Sequence, residues 1–279
     1  MAVKIVTNSS SDIPKYLLEE LDISVVPEYV IIDNKSYRDR IDISEDEFYH
    51  KLVAENAHST TSCPTPSDFV QVYNRLGETA DGIVSIHMSP KLSATYNSAK
   101  QAKELSTAKC SIEVIDSEMI SLALGMVVIA AARLAKEGKS FQEIINAVKS
   151  IIPRISVLIA FDTLKYLVRG GRVGKAKSLV SSLLNVKPLL TLKEGEFAPV
   201  GQVRSYAKAT EKLVKFANSF PEVEEMYAVY STDRDSALQL LKRITSYPQD
   251  RIVLTQLGPV IGSHTGPGLL GIGVLPRNK

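Results

Sequence analysis

Cysteine is scarce. Cys63 and Cys110 are the only two in 279 residues, which excludes a disulfide framework and a four-thiolate zinc site. His50, His58, His87 and His264 are scattered and no H-E-x-x-H occurs, so a metal centre has no support. Long apolar runs are lacking too. The most apolar stretch, between Ser121 and Arg133, has 11 residues. That is too short for a membrane span and reads as a buried helix. The opening Met1-Ala2-Val3-Lys4-Ile5-Val6-Thr7 runs straight into a strand-like segment, without the charged start and apolar stretch of a signal peptide. A cytoplasmic, reducing setting is the expectation. No sign of charge is in excess: 33 Lys+Arg stand against 31 Asp+Glu, a net charge of +2. Neither nucleic acid nor an anionic membrane has a broad electrostatic case.

Catalytic templates are missing as well. Gly174-Lys175 is followed by Ala176, and Arg169 stands where the first glycine of a phosphate loop would be. Gly266 to Gly271 spells G-x-G-x-x-G, but at the chain end, with no room for the helix and acidic residue of a dinucleotide site. No C-x-x-C or G-x-S-x-G occurs. No nucleophile with a base and an orienting group can be assembled at any convincing spacing, nor can a carboxylate pair. No cofactor is expected.

What is present is an α/β alternation. Hydrophobic residues make up 44% and charged residues 23%, a globular balance. Strands are predicted over 4–7, 25–26, 29–32, 82–86 and 112–115. Helices are predicted over 14–21, 44–54, 66–76, 93–105, 119–136 and 140–151. Apolar strands without period-two patterning argue for a mainly parallel sheet flanked by helices. Ligands of such sheets sit beyond the carboxyl ends of the strands, here the loops 8–12, 87–93 and 116–117. The second half reads as an α/β unit with a mixed or antiparallel sheet, because Lys193-Glu194-Gly195 joins two strand-like runs as a hairpin. Pro153 is the expected seam, giving an N-terminal domain 1–152 and a C-terminal domain 153–279.

Four segments could carry chemistry. Thr60-Thr61-Ser62-Cys63-Pro64-Thr65-Pro66 places hydroxyls before a helix start, where free N–H groups favour an anion; its plain reading is a cap and turn. Ser93, in Leu92-Ser93-Ala94-Thr95-Tyr96-Asn97-Ser98, is an N-cap or an anion ligand, and one residue can be both. Residues 258–268 form a glycine-rich loop that displays His264 among hydroxyls. Residues 163–193 carry Lys165, Arg169, Arg172, Lys175, Lys177, Lys187 and Lys193 and no acid, a local positive patch or a solvated face. Hydroxyls with one imidazole suit a carboxylate, through neutral donors or one imidazolium.

Taken in order, Thr7-Asn8-Ser9-Ser10-Ser11-Asp12, Thr61-Ser62-Cys63-Pro64, the 92–98 segment, Val114-Ile115-Asp116-Ser117, Gly170-Gly171-Arg172 and the 258–266 segment resemble the DegV family of bacterial fatty-acid-binding proteins, the FakB type. The resemblance covers essentially the whole chain. It implies the two-domain DegV-like fold with one enclosed long-chain fatty acid as ligand. Its carboxylate would be held by Thr61, Ser62 and Ser93 and approached by His264. It further implies a separate ATP-dependent fatty acid kinase as partner, to which the acid is presented for conversion to acyl-phosphate. Arg169 and Arg172 would meet that partner or the phosphate, and lipid exchange leaves room for peripheral membrane contact. On this reading the chain has no turnover of its own. Two residues depart from the family pattern: Ala94 stands where Gly is usual, and Cys63 where Gln is frequent. The alternatives are a small-molecule phosphotransferase or acyl hydrolase using Ser93 and His264, and a DNA-binding regulator, for which no groove-reading helix motif is visible.

Overall fold

The computed structural model describes residues 3–182 and 186–277. Residues 1–2 of the opening segment and 183–185 of the acid-free stretch lie outside the described residues. In chain order the elements of the first half are β1 (Val3–Asn8), α1 (Lys15–Glu20), β2 (Ile23–Val26), β3 (Tyr29–Ile32), β4 (Lys35–Arg38), α2 (Glu45–Val53), β5 (Ser59–Ser62), α3 (Pro66–Leu76), β6 (Gly82–His87), α4 (Thr95–Leu105), β7 (Ser111–Asp116), α5 (Ser121–Lys136) and α6 (Phe141–Ile151). The second half continues with β8 (Ser156–Ala160), α7 (Lys165–Arg169), β9 (Lys187–Lys193), β10 (Glu196–Val203), α8 (Tyr206–Ala217), β11 (Val223–Tyr230), α9 (Arg234–Leu241), β12 (Val253–Gln256), α10 (Pro259–Thr265) and β13 (Leu270–Pro276).

Three sheets result. The first has order β2-β1-β6-β7 and is parallel throughout. β6 is buried along its whole length, as a strand covered on both faces must be. The largest has order β10-β9-β8-β13-β11-β12 and is antiparallel except for the β11–β12 pair. The fold class is therefore α/β, with a parallel sheet in the first half and a mixed sheet in the second. A third, antiparallel sheet of order β4-β3-β5 was not expected. Tyr29–Ile32 belongs to it and not to the parallel sheet. β4 (KSYR) and β5 (STTS) are short and polar, so they carry no apolar signal; β3 supplies the buried Val30 and Ile32.

α5 is the common layer. Leu122–Leu124 and Met126–Ile129 are buried on every side of it, and it packs on β1 and β6 of the first sheet and β11 of the second. The largest core cluster accordingly joins Ile5, Val84 and Leu124 to Val157, Tyr227 and Leu275. No helix among the described residues is long and apolar enough to cross a membrane. Two helices open on reciprocal caps, Thr65 with Asp68 on α3 and Ser140 with Glu143 on α6.

Candidate functional site

Two cavities adjoin between the first sheet and the second. One, of about 510 Å³, is apolar and is lined by α5 (Leu122, Ala123), β8 (Val157, Ile159) and β13 (Gly271, Gly273), among others. The other, of about 810 Å³, is the more polar of the two: Glu28, Thr61, Ser93, Arg172 and His264 share its lining with Met88, Leu92 and Phe197. Ile120, Phe197, Ile261 and Thr265 line both, so the two share a wall. The apolar stretch read as a buried helix is core over most of α5, but Leu122 and Ala123, with Ile120 just before the helix, line the apolar cavity.

Thr61, Ser62, Ser93 and His264, distant in sequence, line the one polar cavity. Thr61 reaches it from edge strand β5, whose polar sequence leaves its hydroxyl free of the core; Thr61 Oγ1 lies 2.7 Å from His264 Nε2. The helix start at Pro66 is not an anion site, because Asp68 already accepts from the Thr65 backbone N–H there. Ser62 lines the cavity edge and its hydroxyl donates weakly to the Cys63 carbonyl at 3.4 Å. Ser93 is not the N-cap of α4; that position is Ala94. Ser93 Oγ instead accepts from Thr95 N at 3.3 Å and meets Thr95 Oγ1 at 2.9 Å. Ala94 has φ −76°, so the methyl in place of the usual glycine causes no backbone strain.

The segment read as a glycine-rich loop contains a helix, α10. Pro259 opens it, and Gly262 is there for space: a Cβ would lie 2.6 Å from Phe48 and 2.7 Å from the Tyr49 hydroxyl. His264, in the last turn of the helix, packs against Gly170, where a Cβ would lie 2.2 Å from Nδ1. Gly171 has φ +71°, the left-handed turn that points the following chain back. Gly170-Gly171-Arg172 is thus one room-making glycine, one turning glycine and one cation. Arg172 donates to the Leu92 and Gly170 carbonyls at 3.2 Å and 2.5 Å. Two of its five N–H groups are so used, and its charge faces the polar cavity. Burial, helped by Arg172 and Arg169, pushes the His264 imidazole down to about 4. The unliganded site therefore offers a neutral imidazole, and its positive charge comes from Arg172.

Arg169 stays outside. Its guanidinium lies 5.1 Å over the Tyr166 ring, and with His58, Arg172 and Ser263 it lines a third cavity, of about 430 Å³, whose lining also includes Thr61 and His264. The acid-free stretch is less basic in space than in sequence. Lys175 pairs with Glu194 and Glu196, and Lys187 with Asp162, acids just beyond its ends. The Ser93–His264 couple of the hydrolase alternative is not assembled: Ser93 faces Thr95 and His264 faces Thr61. Among the described residues no cluster of His, Cys, Asp and Glu could hold a metal ion.

Two features escaped the sequence. The first is Glu28, buried in the loop after β2 and lining the polar cavity. It sits beyond a strand's carboxyl end like the three loops singled out, and the same rule applied to β2 would have found it. The second is the mount of α10. Asp12 accepts from Arg40 Nη2 at 3.0 Å, from Ser121 Oγ at 2.6 Å and from the backbone N–H of Gly258 at 2.9 Å. Arg40 also donates to the Gln256 carbonyl at 2.7 Å. Asp12, Arg40 and Ser121 all have positive φ, 50°, 60° and 56°. Three locally costly backbones thus converge on one carboxyl group that ties β1, β4, α5 and α10 together.

A family model described as "Uncharacterised protein, DegV family" matches residues 2–277. A DegV domain-containing protein of Caldanaerobacter subterraneus is 38% identical over 274 residues, 97% of each chain. Among solved structures, a Thermus thermophilus DegV family protein described by its fatty acid binding has a TM-score of 0.91 at 36% identity, covering 99% of this chain and 100% of that one. A stearic-acid-binding protein of Eubacterium ventriosum has a TM-score of 0.89 at 27% identity, with 98% of each chain covered.

Proposed function

We propose a function on one premise: the chain belongs to the DegV family. It binds one long-chain fatty acid, with the tail in the apolar cavity and the carboxylate in the polar one. The observation that carries this reading is the shared wall. A cavity lined by apolar side chains borders one that gathers Thr61, Ser93, His264 and Arg172. Each buried methylene contributes about 0.8 kcal/mol. Burying the carboxylate is costly unless it is hydrogen-bonded and charge-compensated, which hydroxyls and Arg172 can do. A carboxylate beside His264 opposes the field of the two arginines, so the imidazole becomes a better donor once the acid is in place.

Mass spectrometry of extracts from the purified protein is expected to find one long-chain acid per chain. Arg172→Gln is expected to weaken binding of the acid about tenfold or more, a charged hydrogen bond's worth, and to leave the corresponding fatty alcohol unchanged. Persistent absence of lipid, with no uptake on addition, overturns the reading.

The carboxylate is further proposed to be presented to an ATP-dependent fatty acid kinase and converted to acyl-phosphate. The outer cavity supports this. It shares Thr61, Arg172 and His264 with the head-group cavity and adds Arg169 and His58. We assign Arg172 to the head group and Arg169 to the partner's side. Arg169→Ala is then expected to retain the acid but to yield several-fold less hydroxylamine-trapped acyl group with kinase and ATP. Loss of acid retention instead reassigns Arg169. Lipid exchange would involve contact with a membrane surface.

A further inference from the structure

The hydrogen bonds behind the head-group cavity have a direction, and it is not the one a carboxylate ligand needs. Glu28 Oε2 accepts from Asn8 Nδ2 at 3.0 Å and from the backbone N–H of Ser10 at 3.1 Å. Its Oε1 faces Thr95 Oγ1 at 3.0 Å. The orientation of Asn8 is set by Glu28, which can only accept and so turns Nδ2 toward itself and Oδ1 toward His87. Tyr73 donates to Ser85 Oγ at 2.8 Å, Ser85 Oγ lies 2.7 Å from His87 Nε2, and His87 Nδ1 lies 3.0 Å from Asn8 Oδ1. Facing the Asn8 oxygen, a neutral His87 donates through Nδ1 and accepts from Ser85 at Nε2. Both carboxylate oxygens are acceptors, and Thr95 gives its one hydroxyl proton to Oε1. Ser93 must therefore be the donor in the 2.9 Å contact with Thr95. Two relays, one through His87 and one through Ser93, end at the same carboxylate.

We infer that Glu28 is a positioning residue that turns the Ser93 hydroxyl proton away from the head-group cavity and so loosens the hold on a fatty acid carboxylate. The inference rests on the proposed function and adds a second property to it, release. For Ser93 to donate to a ligand, its bond to Thr95 has to open. The ligand meets at Ser93 a lone pair before it meets a proton. A carrier that hands its cargo on gains from such a setting, because tight capture would slow delivery.

The replacement Glu28→Gln reverses the relay. An amide keeps an oxygen for Asn8 and Ser10 and turns an N–H toward Thr95. Thr95 can then donate to Ser93, and Ser93 to the ligand. The experiment is a set of dissociation constants for octadecanoic acid and octadecanol. The proteins are the wild type, Glu28→Gln, Ser93→Ala and the double variant. Glu28→Gln is expected to bind the acid at least about threefold more tightly, the worth of one neutral hydrogen bond, with the alcohol unchanged. Ser93→Ala is expected to weaken acid binding at least about threefold more in the Glu28→Gln background than in the wild type. Equal Ser93→Ala losses in both backgrounds overturn the relay, because removal of the Glu28 charge alone would act without Ser93. An acid affinity unchanged or lowered by Glu28→Gln overturns it as well. If Glu28→Gln does not fold, Thr95→Val takes its place. It cuts the relay while keeping Glu28, and a gain in acid affinity supports the inference where a loss overturns it. A wild type that binds neither acid nor alcohol overturns the proposed function and this inference together; a wild type that binds both leaves only the inference at stake.

Discussion

Ala123→Phe is expected to weaken binding of an 18-carbon acid more than 100-fold while leaving the protein folded. Ala123 lines the apolar cavity from α5, so the ring competes for the space that a tail would use. Displacing about four methylenes forfeits about 3 kcal/mol at about 0.8 kcal/mol each, a factor above 100 in affinity. The unliganded variant should unfold at the wild-type temperature or above, since the ring buries its own apolar surface. An acid of about ten carbons should bind both proteins alike. Titration calorimetry with the two acids checks this. An unchanged affinity for the long acid would place the tail elsewhere and remove the apolar cavity from the site.

Arg40→Ala is expected to destabilise the fold by about 3 kcal/mol at pH 8, the cost of leaving a buried charge without its partner, and by clearly less at pH 5. Asp12 is fully buried, and burial raises its carboxyl to about 6 against the opposing pull of Arg40. Asp39, facing the same guanidinium, is raised by burial to about 7. A carboxyl whose folded value lies above its unfolded one binds protons more tightly in the native state. Its contribution to stability is then greatest in acid and falls as pH rises from about 4 through the folded value. Removing Arg40 lifts both carboxyls further. The added penalty is felt where they are ionised in the wild type and fades where they are already protonated. Asp12→Asn in the Arg40→Ala background should recover a large part of the loss at pH 8. Urea unfolding at the two pH values is the measurement, and an equal loss at both would refute the account. Because Asp12 also holds Gly258, and Gly258 starts the helix of His264, the same variant should loosen the head-group site.

Legibility in the sequence followed side-chain chemistry. The parallel sheet was readable because β1 and β6 are apolar and each runs on into a helix. The β4-β3-β5 sheet was not, because β4 and β5 consist of polar residues that owe their pairing to β3. Helix α10 looked like a loop because glycine usually marks one. Here Gly262 makes room for Phe48 and Tyr49, a reason invisible before the partners are in place. The basic stretch looked stronger than it is because its neutralising acids, Asp162, Glu194 and Glu196, fall just outside it. Thr61, Ser93 and His264 could be picked out by motif, but not their pairings. Which hydroxyl faces Thr95 and which faces His264 depends on how β5, α4 and α10 meet. Glu28 carried no motif; its place beyond the carboxyl end of β2 was the one sequence signal, and its bonding shows itself only through its neighbours.

β13 is buried almost throughout, and two of its residues, Gly271 and Gly273, leave bare backbone where it borders the apolar cavity. A Cβ at Gly271 would lie 2.8 Å from Val229, and one at Gly273 3.0 Å from the Met126 sulfur. The guest's berth is therefore carved from the middle of the larger sheet, between it and the helix that both halves share. Any relative that adapts to a longer or bulkier passenger must edit the timbers of the hull, so taste for cargo and robustness of the vessel evolve at the same few positions.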